Sequence, residues 1–154
     1  MKMKRKLLFL VPVLILVPAA VWLLLGLMPE PPYERVNNAE LKRMVDEGAL
    51  VIDIRRPEEW QQTGVIDGSY LITAFDEQGR MTREFPAFFG QLTNPEQPVV
   101  LICRTGNRTD ALARMLVEQA GYQQVYNVTN GITSWIAAGG EVKPCAGRGP
   151  DLRC

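Results

Sequence analysis

Alternating strands and helices behind one long apolar segment predict an α/β domain that follows a transmembrane helix. The alternation is clearest at Val99–Ile102, a short apolar run rich in β-branched residues that is typical of a buried strand. From Thr109 onward, apolar residues recur at helical spacing until Gly121, which ends the helix. Positions 7–28 contain no charged residue, which is the mark of a membrane-spanning segment. The chain is long enough for one domain with a modest core plus this appendage.

The N-terminal segment is interpreted from its length and flanking charges. Residues 1–6 form a basic cluster, and positions 7–28 suffice to cross a hydrocarbon core of about 30 Å at about 1.5 Å per residue. Basic residues before the segment and Glu30 after it place the N-terminus in the cytoplasm and the domain on the periplasmic or extracytoplasmic side of the inner (cell) membrane. The apolar run continues beyond residues 18–20 without a clean small-x-small cleavage site, so an uncleaved anchor is favoured over a signal peptide.

The domain is assigned to residues 36–142, between a spacer and a tail. Residues 29–35 are rich in proline, which predicts a stiff extended spacer, and residues 143–154 form a loop-like tail with two cysteines. Asn37 or Asn38 can cap the first helix. The predicted elements, in chain order, are a helix at 39–47, a strand at 49–54, a short helix from Pro57, a strand at 70–72, a strand at 99–102, a helix from 109, a strand at 124–128 and a helix from Gly131.

Aromatic residues are expected to contribute mainly to the core. Trp60, on the short helix, is interpreted as a core residue rather than a substrate contact. Residues 75–98 are irregular and carry Phe85, Phe88 and Phe89 close together. These rings could pack over the core or form an apolar rim beside the site, and the core is favoured because exposed aromatic patches are uncommon.

Composition excludes several classes of chemistry. The 17 basic and 17 acidic residues give no net charge and so no overall attraction to nucleic acid. The chain has no histidine, which excludes Ser-His-Asp and Cys-His catalysis within the chain and histidine-containing zinc sites. Three cysteines without a Cys-x-x-Cys pair argue against a zinc or iron–sulfur centre. We therefore expect no metal and no organic cofactor.

The junction between the strand at 99–102 and the following helix carries the candidate chemistry. Its six residues are Cys103, Arg104, Thr105, Gly106, Asn107 and Arg108. A loop that leads into a helix N-terminus directs unpaired N–H groups and positive dipole at its occupant. The helix field and two guanidinium groups favour the thiolate of Cys103 over the thiol. The pattern predicts a nucleophilic cysteine in an anion-binding loop, against the alternative of a buried structural cysteine with solvent-facing arginines.

Three stretches carry a resemblance to the rhodanese (thiosulfate sulfurtransferase) family. They are the loop at 103–108 between a strand and a helix, the segment Asp-Ile-Arg-Arg-Pro-Glu-Glu-Trp at 53–60, and residues 131–139. The resemblance implies a small α/β domain with a mainly parallel central sheet flanked by helices. It also implies that Asp53 and Arg55 support the architecture beside the loop. From the residues alone, Asp53 could pair with a loop arginine or form an ordinary structural salt bridge.

The resemblance also implies a double displacement through a persulfide on Cys103. The thiolate attacks the outer sulfur of thiosulfate or a similar small anionic donor, and a thiophilic acceptor, cyanide or a thiol, then removes that sulfur. Backbone N–H groups of residues 104–108 are expected to cradle the persulfide, and Gly106 permits the turn. Arg104 and Arg108 are expected to attract the anionic donor.

Two other functions stay open. Cysteine-based phosphatases and arsenate reductases would require arginine at position 109, where this chain has Thr109. The shorter loop therefore disfavours phosphate or arsenate chemistry. A membrane-tethered sulfur carrier or partner-binding module without free-standing turnover is compatible with an intact Cys103.

The tail cysteines allow three interpretations. Cys145 and Cys154 enclose a turn-prone span, which can bring two Cα atoms within the about 4.4–6.8 Å that a disulfide needs. Outside the cytoplasm unpaired thiols are a liability, which favours such a disulfide. The alternatives are a redox relay in which a tail thiol resolves an oxidised Cys103, and two free thiols. Because the tail is expected to lie outside the core, its disulfide is expected to stabilise the domain only modestly.

Overall fold

The computed structural model describes residues 30–154, which contain a five-stranded parallel sheet with helices packed against it. The strands are β1 (Glu34–Val36), β2 (Val51–Asp53), β3 (Tyr70–Leu71), β4 (Val99–Ile102) and β5 (Val125–Val128). The helices are α1 (Asn38–Asp46), α2 (Pro57–Thr63), α3 (Phe85–Leu92), α4 (Asn107–Ala120) and α5 (Gly131–Ala137). The strand order is β1-β5-β4-β2-β3, and every pairing within the sheet is parallel. The predicted α/β class with a mainly parallel central sheet is confirmed.

Local sequence signals explain why most predicted elements form where they do. The side chain of Asn37 accepts the backbone N–H groups of Ala39 and Glu40 at 2.9 and 3.0 Å. The Glu40 carboxylate accepts the Asn37 backbone N–H at 2.8 Å, which completes a capping box. The cap of α1 is therefore Asn37 rather than Asn38. At α2, Pro57 occupies the first turn, where its missing N–H costs nothing.

One strand was not predicted, and it moves the domain boundary. Residues 29–35 were expected to form a spacer, but Tyr33 is buried and Glu34–Val36 pairs in parallel with β5, with Val36 opposite Val128. The strand has three residues, of which Glu34 and Arg35 are exposed, so its sequence carries no recognisable alternation. The packed domain therefore begins before residue 36.

The aromatic stretch contributes to the core as expected. Phe85 and Phe89 on α3 are buried, with ring centroids 5.0 Å apart. Phe88 is partly buried and lies under the guanidinium group of Arg148. Trp60 is also buried, which confirms its assignment to the core.

The predicted membrane anchor, with its basic residues 1–6 and apolar residues 7–28, lies outside the described residues. Among residues 30–154, no helix combines the length and the apolar character that crossing a membrane requires.

Three neighbouring strands carry polar residues at the same end of the sheet. Asp53 ends β2, Cys103 follows β4 directly, and Asn127 lies near the end of β5. β4 is central and its four residues are buried, with apolar clusters on both faces of the sheet. Because parallel strands share one direction, their carboxyl ends form a common rim, which is where ligands bind in open α/β sheets.

The C-terminal tail, residues 143–154, packs into the domain instead of lying outside the core. Cys145 and Leu152 are only 4% and 7% exposed. The backbone N–H of Leu71 donates to the Leu152 carbonyl at 2.7 Å, and Arg148 Nη1 donates to the Leu71 carbonyl at 3.2 Å. The tail therefore covers the open edge of β3, an edge that would otherwise expose unpaired backbone groups.

A disulfide joins Cys145 and Cys154, with Cα atoms 5.6 Å apart, while Cys103 is free. The structure thus has the tail arrangement that leaves Cys103 as the one free thiol among the described residues. The redox-relay arrangement, in which a tail sulfur contacts Cys103, is not the one observed.

We expect reduction of this disulfide to lower the free energy of unfolding by about 2.5 kcal/mol, the value for closing a loop of about ten residues. The tail holds buried residues and the sheet edge, so opening it loosens packed structure. Thermal unfolding with and without reductant should show Tm falling by roughly 10 °C. A Cys145→Ser/Cys154→Ser variant should already have the lower Tm and should not respond to reductant. Equal Tm values for the oxidised and reduced wild type would contradict this role.

Candidate active site

The loop that carries the free cysteine is shorter than its sequence suggested. β4 ends at Ile102 and α4 begins at Asn107, so Asn107 and Arg108 belong to the first helical turn. Gly106 has φ +89° in the left-handed region, and a Cβ there would lie 3.1 Å from the Asn130 nitrogen. Glycine is therefore needed at this turn both for its φ angle and for the close approach of the neighbouring backbone.

The sulfur of Cys103 is buried among polar groups of the loop and of α4. The residue is only 1% exposed, and its Sγ accepts the Gly106 backbone N–H at 3.2 Å. The Thr109 hydroxyl lies 3.4 Å from the same sulfur, and its proton is shared between the side-chain oxygen of Asn127 at 2.6 Å and the Gly106 carbonyl at 3.0 Å. Thr109 and Asn127 are both buried. The Gly106 N–H stabilises negative charge on the sulfur, as a nucleophilic cysteine requires.

The N-terminus of α5 fixes the orientation of the loop backbone. The Ile132 N–H donates to the Cys103 carbonyl at 2.9 Å, and both the N–H and the hydroxyl of Thr133 donate to the Arg104 carbonyl. A Cβ on Gly131 would lie 2.3 Å from the Cys103 carbonyl oxygen, so only glycine allows this contact. A trans peptide points its N–H opposite its C=O. The N–H groups of Arg104 and Thr105, which follow these two carbonyls, therefore point away from α5.

Asp53 and Arg55 form a buried ion pair beside the loop. They are 0% and 1% exposed, and the Arg55 guanidinium group donates to both oxygens of Asp53 at 2.6–3.0 Å. Its remaining donors reach the Thr63 hydroxyl at 2.7 Å and the carbonyls of Glu59 and Gly64 at 3.2 and 2.9 Å. All five N–H groups of the guanidinium are thus used. Asp53 pairs with Arg55 and not with a loop arginine, so both residues support the site without facing a substrate.

Arg108 forms an ion pair with Glu59. Its Nη1 and Nη2 donate to the two carboxylate oxygens of Glu59 at 2.8 and 2.7 Å. Burial raises the pKa of Glu59, but hydrogen bonds from Arg108 and from the Arg56 backbone N–H outweigh it and hold the pKa of this carboxyl below its usual range. The hydrogen bonds to Glu59 also raise the pKa of Arg108. Arg108, which was expected to attract the anionic donor, therefore has its charge paired with Glu59.

The remaining loop side chains lie at the surface. Arg104, Thr105 and Asn107 are exposed, and Arg104 has no ion-pair partner among residues 30–154. A groove of about 420 Å³, here called the Arg104 groove, runs beside them. Its charged lining residues are Arg56, Glu59, Asp76, Glu77, Arg104 and Arg108. Within the described part of the chain, no cluster of cysteine and carboxylate side chains could hold a metal ion.

Three residues of the site were not identified from the sequence. Thr109 was considered only as a departure from the phosphatase pattern. Asn127 was recognisable as a polar residue inside an apolar strand, and Glu59 occupies the third position of a helix, where it also accepts the Arg56 backbone N–H at 3.1 Å. These signals indicate a strand irregularity and a helix cap, and neither predicts a contact with the loop.

The Glu59–Arg108 pair gives the domain a pH-dependent stability. The folded pKa of Glu59 lies below its unfolded value, so the pair stabilises fully above the ordinary glutamate pKa of 4.5. As the pH falls through the lowered folded pKa, this contribution is lost. Urea unfolding from pH 6 to pH 3 should therefore show Glu59→Gln less stable than wild type near pH 6, by about 1 kcal/mol for a partly solvated pair. That difference should shrink in acid.

The control is Glu118→Gln, which removes the same charge from an exposed glutamate without an ion-pair partner among residues 30–154. Its unfolding free energy should follow wild type at every pH. A constant difference between Glu59→Gln and wild type from pH 6 to pH 3 would contradict the electrostatic role of Glu59.

The model of the rhodanese-like domain family matches residues 37–138 of the chain. The chain belongs to that family. Thiosulfate sulfurtransferase GlpE of Pseudoalteromonas translucida is 28% identical over 107 residues, which cover 69% of this chain and 91% of the relative.

Two solved structures share this rhodanese-like fold. A rhodanese-related protein from Thermoplasma volcanium has a TM-score of 0.57 and 28% identity, with 73% of this chain and 100% of that chain covered. A protein of Rhodopseudomonas palustris described as a possible tyrosine phosphatase has a TM-score of 0.56 and 23% identity, with 72% and 85% covered. The second likeness concerns the fold alone.

The three stretches that carried the resemblance meet at the loop of this rhodanese-like domain. Arg55 and Glu59 come from the second stretch, and Glu59 binds Arg108 of the first. Gly131 begins the third stretch and lies against the Cys103 carbonyl. The family motifs are therefore one packed unit around Cys103.

Proposed function

We propose that this rhodanese-like domain is a sulfurtransferase that moves sulfane sulfur from thiosulfate or a similar donor to a thiophilic acceptor through a Cys103 persulfide. The observation that carries the proposal is the free, buried Cys103 whose sulfur accepts the Gly106 N–H and contacts the Thr109 hydroxyl. The thiosulfate sulfurtransferase activity of a relative supports the same reaction class.

In the first half-reaction the Cys103 thiolate forms a bond to the outer sulfur of thiosulfate. The sulfur–sulfur bond of the donor breaks, and sulfite leaves with its electron pair. In the second half-reaction cyanide or a thiolate bonds to the outer sulfur of the persulfide, and its sulfur–sulfur bond breaks to restore the Cys103 thiolate. The Gly106 N–H stabilises the anionic sulfur of the thiolate.

Multiple turnover separates this enzyme from a sulfur carrier. The full chain, incubated with excess thiosulfate and cyanide, should form many equivalents of thiocyanate per chain. Formation of at most one equivalent per chain would favour the carrier and contradict free-standing turnover.

The phosphatase alternative would require an arginine at position 109 to bind phosphate. That position is the buried Thr109, and the neighbouring Arg108 is bound to Glu59. No phosphatase activity is therefore proposed.

We also propose that residues 7–28 anchor the domain as a single-pass helix, with residues 1–6 in the cytoplasm and the domain on the periplasmic or extracytoplasmic side. The charge pattern supports this, and so does the Cys145–Cys154 disulfide, since disulfides persist in oxidising compartments. Protease added to spheroplasts should remove the domain and leave the anchor in the membrane. Complete protection of the domain while the membrane is sealed would contradict this topology.

A further inference from the structure

A buried hydroxyl group lies beside the sulfur of Cys103. The Thr109 oxygen is 3.4 Å from Cys103 Sγ, 2.6 Å from Asn127 Oδ1 and 3.0 Å from the Gly106 carbonyl oxygen. Thr109 is 0% exposed and Asn127 is 5% exposed. Buried polar groups must satisfy one another's hydrogen bonds, so the direction of each bond follows from these four residues.

The neighbours of the Asn127 amide determine which of its atoms faces Thr109. The Gly106 carbonyl can only accept, and the Asn127 side-chain nitrogen lies 3.4 Å from it as a donor. The amide oxygen is therefore the atom beside Thr109, and this oxygen can only accept. The reversed amide would place two acceptor oxygens against each other at Gly106, which excludes it.

Only one of the three groups around the Thr109 oxygen can donate to it. The Asn127 oxygen and the Gly106 carbonyl are acceptors and share the one proton of the hydroxyl. The Cys103 thiol is the remaining neighbour, and it carries a proton of its own. Thr109 therefore turns a lone pair toward Cys103 and accepts a hydrogen bond from the thiol.

We propose, on the basis of the sulfurtransferase function above, that Asn127 is a positioning residue that sets the ionisation of Cys103 through Thr109. By holding the Thr109 proton, Asn127 keeps an oxygen lone pair on the sulfur, which stabilises the thiol and opposes the thiolate. The Gly106 N–H acts in the opposite sense, because it donates to the sulfur. The proton that Cys103 loses on ionisation passes to solvent, and the balance of the two contacts sets the thiolate fraction available to attack a donor.

The charged groups near Cys103 belong to the loop and to the elements packed against it. They are Arg104 on the loop, Arg108 and Asp110 on α4, Asp53 and Arg55 at the end of β2, and Glu59 on α2. The strands β4 and β5 and the helix α5 contain no charged residue. Uncharged replacements of Thr109 or Asn127 leave all these charges in place. The chain has no histidine and the tail cysteines are bonded, so Cys103 is the one side chain among residues 30–154 that ordinarily titrates between pH 6 and pH 9.

The test follows the rate of Cys103 alkylation by iodoacetamide in the full chain from pH 5 to pH 10, since the thiolate is the reacting form. Thr109→Val keeps the branched shape of the side chain and removes the acceptor of the thiol proton. Its half-maximal rate should lie roughly 0.5–1 pH unit below that of wild type, the effect of one hydrogen bond. If Thr109 instead donated to the thiolate, the same change would move the half-maximal rate to higher pH. Thr109→Ser keeps the hydroxyl and should behave as wild type.

Variants of Asn127 test whether this residue acts through Thr109. Asn127→Ala releases the Thr109 hydroxyl to turn toward the sulfur, so its profile should also move to lower pH. In Thr109→Val/Asn127→Ala no hydroxyl remains to be held, and the profile should coincide with that of Thr109→Val. The matched control is Gln124→Ala, which removes an exposed amide just before β5 and should leave the profile as in wild type.

The acid limb of kcat/KM for thiosulfate, with cyanide as acceptor, should move in the same direction as the alkylation profile. A Thr109→Val profile at higher pH, a Thr109→Val profile that matches wild type, or a further shift in the double variant would overturn the positioning role of Asn127. Thr109→Val decides the direction of the hydrogen bond even if Asn127→Ala does not fold. If the alkylation profiles shift as expected but wild type forms no thiocyanate, the proposed function fails and the role of Asn127 in the ionisation of Cys103 stands.

Discussion

Replacement of Cys103 by alanine should abolish sulfur transfer, with turnover falling to the rate without protein. No other described side chain can form the persulfide, because Cys103 is the one free cysteine among residues 30–154 and the other two cysteines are joined in a disulfide. Cys103→Ser should be equally inactive, since a serine hydroxyl attacks the sulfur of the donor far more weakly than a thiolate does. Thiocyanate formation from thiosulfate and cyanide measures both variants.

The matched control is the Cys145→Ser/Cys154→Ser variant, which removes the two other cysteines and leaves the Cys103 loop intact. Measured well below its Tm, it should retain transfer activity. Turnover by Cys103→Ala at the wild-type rate, in protein of unchanged Tm, would contradict the nucleophilic role of Cys103.

Replacement of Arg55 by methionine should lower the free energy of unfolding by about 3–5 kcal/mol. The change leaves the fully buried Asp53 without the guanidinium group that donates to both of its oxygens. It also removes the hydrogen bonds from Arg55 to the Glu59 and Gly64 carbonyls. Since small domains are stable by only about 5–15 kcal/mol, this loss removes a large share of the stability of the domain. Urea unfolding measures the loss.

Two further variants separate the ion pair from the volume change. Arg55→Met/Asp53→Leu removes both charges and should be less destabilised than Arg55→Met, because no unpaired buried charge remains. Arg56→Met removes the neighbouring arginine, whose partner Glu58 is exposed, and should cost at most about 1 kcal/mol. A loss below 1 kcal/mol for Arg55→Met would contradict a structural role for the buried pair.

Features that depend on neighbouring residues could be predicted from the sequence. The apolar strand Val99–Ile102, the glycine turn at Gly106 and a cap at Asn37 or Asn38 each follow from a few adjacent side chains, and the structure has the cap at Asn37. The mainly parallel arrangement of the sheet was implied by the family resemblance. β1 was missed because its three residues form a strand by pairing with β5, which lies far along the chain. The tail was misplaced because a proline- and glycine-rich segment gives no sign of a distant sheet edge.

The same distinction between adjacent and distant residues applies to the candidate site. The sequence placed Cys103 and Gly106 correctly, since both belong to one strand–loop–helix junction. It could not choose among partners for the arginines, because a guanidinium group can reach any nearby carboxylate and only the fold decides which is near. Arg108 binds Glu59 across 49 positions of sequence, and Thr109 meets Asn127 across 18. Of the two loop arginines, Arg104 is therefore the one without an ion-pair partner among residues 30–154.

The central claim is that sulfur passes through a persulfide on Cys103, and intact-mass analysis of the loaded protein tests it most directly. After incubation with a sulfur donor and removal of the excess, the chain should gain one sulfur atom, located by peptide mapping on the peptide that contains Cys103. Addition of cyanide should release that sulfur as one equivalent of thiocyanate and restore the original mass. Sulfur found on another residue, the same mass gain in Cys103→Ser, or a loaded chain that releases no sulfur to cyanide would contradict the account.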